Sequence, residues 1–176
     1  MTHKFTRSLV TSAMCLALAL VLPMVTGGIP RIGNMLCPMH LPVLLCGFLA
    51  GWPWGLAVGA IAPLLRSVTF GMPPMPVAIP MAFELAAYGA LTGLLYHLLP
   101  KKPGFVYVSL IASMALGRVV WGAAKLVMAG LTSAAFPFSA FLSGAILTAW
   151  PGIAAQIVLV PALVLALRRA GLVTND

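Results

Sequence analysis

Only two of the 176 residues are acidic, Glu84 and the C-terminal Asp176, and this scarcity constrains the fold more than any other feature. Charged residues make up 7% of the chain and apolar residues 62%, whereas a soluble domain carries roughly 25% charged residues. Such a chain cannot cover a water-facing surface, so it reads as an all-α integral membrane protein. A span needs roughly 20 apolar residues, which leaves room for about six helices, short loops and no soluble domain. A built-in nucleotide-binding domain is thereby excluded, and no Walker-type phosphate loop occurs. The net charge of +8 does not point to nucleic acid, because the basic residues sit at span ends or inside spans rather than clustered on one solvated face. Cys15, Cys37 and Cys46 are odd in number. Cys37 and His40 have a Cys-x-x-His spacing, but no second pair completes a metal site, and the thiols read as small packing residues. No metal or cofactor is expected.

The expected spans are 8–26, 39–51, 55–69, 80–99, 105–130 and 140–167, forming a single six-helix domain over 1–176. Residues 1–26 combine a basic start with an apolar run. They read as a retained first helix rather than a signal peptide, since no small-x-small cleavage site is clear after Val25. Trp52–Gly55 is expected to be an interfacial turn, and Gly71–Pro80 a proline-rich loop with Pro80 opening the next helix. The last span is expected to be interrupted or kinked at Trp150-Pro151-Gly152. With the N-terminus cytoplasmic, Lys4, Arg7, Lys101, Lys102, Arg168 and Arg169 lie inside, and the outer loops carry only Arg31. That is the positive-inside pattern, with both termini cytoplasmic. The outer loops 27–38, 70–79 and 131–139 are also those rich in helix breakers, which suggests a lidded site open to the exterior.

The candidate site residues are the few polar groups inside these spans. Glu84 lies near the start of the fourth span, one turn before Tyr88. A carboxylate in an apolar span faces a bundle interior or a cavity; it serves either as a structural partner for an arginine or as part of a binding site. Arg118 and Lys125 are seven residues apart and share a helix face, with Trp121 between them. Together with Arg66 they exceed the available negative charge. Two readings follow: the cations snorkel or bind lipid headgroups, or an anionic ligand completes the balance, gripped by Arg118 and covered by Trp121. Asn34 in the first outer loop, and Gln156 and Thr148 in the last span, add neutral hydrogen-bonding groups. No nucleophile–base pair or carboxylate dyad is present, so the chain does not read as an enzyme, and too few helices have polar faces for a channel.

Two stretches, MHLPVLLCGFLAGWPWGLAVGAIAPLLRS (Met39–Ser67) and GMPPMPVAIPMAFELAAYGALTGLLY (Gly71–Tyr96), together with the basic C-terminus, carry a family resemblance. The chain resembles the S component, the substrate-capture membrane subunit of energy-coupling factor (ECF) vitamin transporters, over nearly its whole length. The resemblance implies a six-helix bundle in a bacterial or archaeal plasma membrane that takes a vitamin-like molecule from outside. It also implies a separate coupling membrane subunit and two ATPase subunits as partners, with Ala13 and Ala17 forming the Ala-xxx-Ala docking face of the first helix. Capture in the family uses outer loops and the outer halves of helices four to six. The charge excess favours an anionic vitamin such as pantothenate; other vitamins or a non-transporting scaffold subunit are the alternatives.

Overall fold

The computed structural model describes residues 2–26, 37–132, 137–144 and 148–171. Asn34 and Arg31 fall outside these. The described residues form helices and no strand: α1 (Thr2–Thr26), α2 (His40–Ala50), α3 (Trp52–Phe70), α4 (Met75–Leu98), α5 (Pro103–Thr132), the short α6 (Phe138–Leu142) and α7 (Trp150–Arg169). Five of these, α1, α3, α4, α5 and α7, are long and apolar enough to cross a membrane. The chain is thus an all-α, multi-pass membrane protein.

The exception, α2, explains how the bundle is assembled. Its 11 residues span only about 16 Å, and it is apolar on every side. Every residue from Pro42 to Ala50 is buried, which is the pattern of a helix enclosed by others rather than by lipid. It packs against α1, α3, α4 and α7. On α1 the inward face is Ser8, Ser12, Cys15 and Ala19, all buried, at the three- and four-residue spacing of a helix stripe. Cys46 of α2 reaches the Ser12 hydroxyl at 3.6 Å. Ala13 and Ala17 lie on the opposite, exposed side of α1.

The most extensive packing joins α3 to α4, and glycine makes it possible. A Cβ on Gly55 would strike the Gly89 carbonyl, one on Gly89 would strike Gly55, and one on Gly59 would strike the Leu85 carbonyl. The two backbones therefore touch directly, as small-residue faces allow in membranes.

Two expectations about element ends need correction. Trp52–Gly55 is the first turn of α3, not a connecting turn; Gly51 alone reverses the chain, with φ 97°, a conformation that favours glycine. Most of the expected proline loop is helical. Pro74 precedes α4, Pro76 occupies its first turn, and Pro80 lies inside the helix. A first-turn proline sacrifices no helical hydrogen bond, and Pro80 removes only one rung, so the true connection is 71–74. The interruption expected within 140–167 lies immediately before Trp150. Thr148 donates its N–H to the Ser143 carbonyl at 2.9 Å, and α7 begins at Trp150 with Pro151 in its first turn.

Both ends of the described chain meet at one end of the bundle. Arg7 donates to the Gly171 carbonyl, and Arg168 donates to the Lys101 carbonyl at 2.5 Å. Lys101 in turn donates to the Tyr96 carbonyl at 3.0 Å and sits 3.9 Å over the Tyr96 ring. These cations lie beside the C-terminal ends of α4 and α7, where the helix dipoles favour them.

Candidate functional site

Away from that basic end, three helices bring their rare polar groups together. Glu84, on the buried face of α4, is 2% exposed. Its Oε1 lies 2.9 Å from Nη1 of Arg118 on α5 and 3.4 Å from Nε2 of His40 at the start of α2. Tyr88, one turn after Glu84, sets its ring 5.4 Å from the His40 ring, centroid to centroid. Gly117 is what lets α5 come this close, since a Cβ there would collide with the Tyr88 ring. Cys37, just before α2, reaches Arg118 as well.

The cluster is electrically matched but short of hydrogen bonds. Glu84 and Arg118 neutralise one another, and a buried charge in lipid surroundings requires such a partner. Yet both ring nitrogens of His40, Oε1 of Glu84, Oη of Tyr88 and Nε of Arg118 are buried without an aligned hydrogen-bond partner. The contacts to Glu84 are close in distance but not in angle. Each such group costs about 1–3 kcal/mol, so a protein that keeps five of them in one place has polar groups disposed to receive something.

A cavity of about 330 Å³ adjoins the cluster, lined by Tyr88 and Arg118 and otherwise by apolar side chains of α5, α6 and α7, Met114, Phe141 and Ile157 among them. Its volume is in the range of small-ligand pockets, roughly 300–1,000 Å³.

Of the residues singled out from sequence, Glu84, Tyr88 and Arg118 come together here. Trp121 stands one turn beyond Arg118, its ring 6.1 Å from that of Phe141, at the edge of the cavity. Lys125 is a further turn away and half-buried. Gln156 is 2% exposed, with Nε2 lacking an aligned partner, between cavity-lining Ile153 and Ile157. Arg66 is engaged elsewhere: it donates to the Leu20 carbonyl of α1 at 2.5 Å and lies 5.3 Å from the Phe70 ring centroid. Thr148 donates its hydroxyl to the Ser143 carbonyl at 3.0 Å. The expected local cation excess is therefore smaller than the sequence implied, because Arg66 is held at α1 by a backbone carbonyl, away from the Glu84–Arg118 pair. His40 was passed over as a site residue; its signal was a lone imidazole opening an otherwise apolar helix. Among the described residues no three His, Cys, Asp or Glu side chains are grouped to hold a metal.

A family model described as "ECF transporter, substrate-specific component" matches residues 7–164. Comparison with curated proteins and with solved structures found no match.

Proposed function

Because the chain belongs to the substrate-specific component family of ECF transporters, we propose that its ligand site is the His40–Glu84–Tyr88–Arg118 cluster together with the adjoining cavity. As a member of that family the chain is the substrate-binding membrane subunit of a transporter. The finer reading is a protein of a bacterial or archaeal plasma membrane that captures a vitamin-like micronutrient from outside. Uptake is then driven by a coupling membrane subunit and two ATPase subunits. The observation that carries the ligand site is the concentration of buried, poorly aligned polar groups around the Glu84–Arg118 ion pair, at the head of a cavity whose described lining is otherwise apolar.

An anionic ligand remains the preferred class, with Arg118 as its anchor, Trp121 and Gln156 as flanking contacts and Lys125 further out; Asn34 is proposed as a contact from the sequence and lies outside the described residues. Arg66, held on α1, has a weaker claim to direct contact. On the other side of the molecule, Ala13 and Ala17 are exposed on α1 while its opposite face is packed. That disposition suits a docking surface for the coupling subunit, because small residues allow close helix approach.

Mass spectrometry of small molecules released from the purified protein tests the reading. A single small molecule in near-stoichiometric amount is the expected result. Its absence from protein purified out of substrate-replete cells favours a scaffold subunit whose charges are structural.

A further inference from the structure

We infer that the ligand is a small monocarboxylate with an apolar body, and that it binds together with one proton held at His40. The inference rests on the ligand site proposed above and adds the chemistry of what fills it.

The first part comes from the cavity wall. Ile111, Met114, Ala115, Val119, Ile153 and Ile157 offer no strong hydrogen-bonding group. A ligand hydroxyl or amide turned towards them would leave water without gaining a partner, weakening binding by about tenfold for each group. Among the described residues, polar lining is confined to Tyr88 and Arg118, which stand together at the cluster. The cavity thus fits a molecule with one polar head and an apolar remainder, and the hydroxyls and amide of pantothenate suit it poorly. The buried Nε of Arg118, on a residue that lines the cavity, is a donor without an aligned partner, and a guanidinium edge matches a carboxylate.

The second part is charge arithmetic. Glu84 and Arg118 already form a neutral pair. A bound carboxylate would leave the cluster with one uncompensated negative charge, which an apolar surrounding strongly disfavours. Among the described residues, Glu84 and Tyr88 of α4 face His40, Arg118 of α5 meets the same Glu84 oxygen, and Cys37 reaches Arg118. The buried polar side chain on α7 is the uncharged Gln156, α3's Arg66 is bonded to α1, and α1's Cys15 is directed to Cys46. Lys125 lies roughly 10 Å further along α5. Imidazole is the group in this set whose charge ordinarily changes near neutral pH. Nε2 of His40 faces the Glu84 carboxylate, and Nδ1 is buried without an aligned partner. One proton on His40 restores neutrality: two cations and two carboxylates.

Octanoate serves as the probe, titrated calorimetrically into the protein in lipid nanodiscs, in buffers of different ionisation enthalpy. Uptake of about one proton per octanoate is expected, with the Kd rising about tenfold per pH unit above neutrality. Octanol, of similar body but uncharged, should bind without proton uptake. Glu84→Gln should bind octanoate with no uptake and little pH dependence, because ligand and Arg118 then balance alone. Should that variant fold poorly, the wild-type pH series decides. Saturable octanoate binding, lost in Arg118→Gln but without proton uptake in wild type, overturns the proton linkage and leaves the site. Failure of octanoate to bind, while another small molecule co-purifies, overturns the ligand class and leaves the capture reading. Failure of both removes the ligand site and this inference with it.

Discussion

Glu84 is the residue on which the interior depends, because it is the carboxylate that balances Arg118. Replacing Arg118 with Gln strands a buried carboxylate, and removal of one member of such a pair costs about 3–5 kcal/mol. Arg118→Gln should destabilise the ligand-free protein on that scale, and adding Glu84→Gln should recover most of the loss. Unfolding of the single and double variants in detergent, followed by circular dichroism, measures both. Equal stability of wild type and Arg118→Gln would mean that the pair is not formed. At this scale the sequence was informative where residues are rare: one acid inside a span, and one arginine inside another, had to be accounted for. It was uninformative for His40 and Arg66. The role of His40 depends on α2 being enclosed against α4, where Arg118 of α5 reaches the same carboxylate, and Arg66 found an acceptor on a helix 46 residues away in sequence. Neither relation leaves a periodic trace.

Elements were legible in number and type more than in their ends. Apolar runs of spanning length announce helices in any order of packing, whereas proline near a helix start is compatible with a loop or with a first turn. Pro76 and Pro80 fell on the helical side because α4 is held along its length by α3 and α5. The glycine ladder, visible as Gly47, Gly51, Gly55 and Gly59 at four-residue spacing, meets Gly89 and Gly93 in the structure. A larger side chain at Gly89 must push α3 away, since the obstacle is the Gly55 backbone rather than a movable side chain. Gly89→Leu should therefore lower the thermal midpoint by several degrees, the effect of overpacking by about 1–3 kcal/mol or more. At Gly104, where a Cβ meets nothing within 4 Å, Gly104→Ala should be near neutral. A matched pair of melting curves checks this. The α1 helix makes the contrasting case, being packed on one side and bare on the other. Ala13→Trp or Ala17→Trp should abolish energised uptake in the presence of the coupling complex while leaving ligand affinity of the isolated subunit within a few-fold. Parallel loss of affinity and uptake would place those alanines in folding instead.

Across the whole molecule, charge is segregated. Basic side chains draw the two chain ends and the α4–α5 connection together at one end, and the polar cluster lies deeper in the bundle, reached from the other direction by the start of α2. That separation suits a subunit that receives ligand from one side of the membrane and is handled by partners from the other. The sequence carried the segregation through its uneven lysine and arginine counts, and it carried the family through nearly its full length. The cavity was not readable, because its wall is assembled from α5, α6 and α7 after packing. The most direct measurement is mass spectrometry of small molecules released from nanodisc-held wild type and from the Glu84→Gln/Arg118→Gln double variant, which removes the site's charges without stranding one. The expected result is a single carboxylate-bearing molecule in near-stoichiometric amount from wild type and little or none from the folded double variant. Equal recovery of the same molecule from both proteins would contradict a ligand site at His40, Glu84, Tyr88 and Arg118.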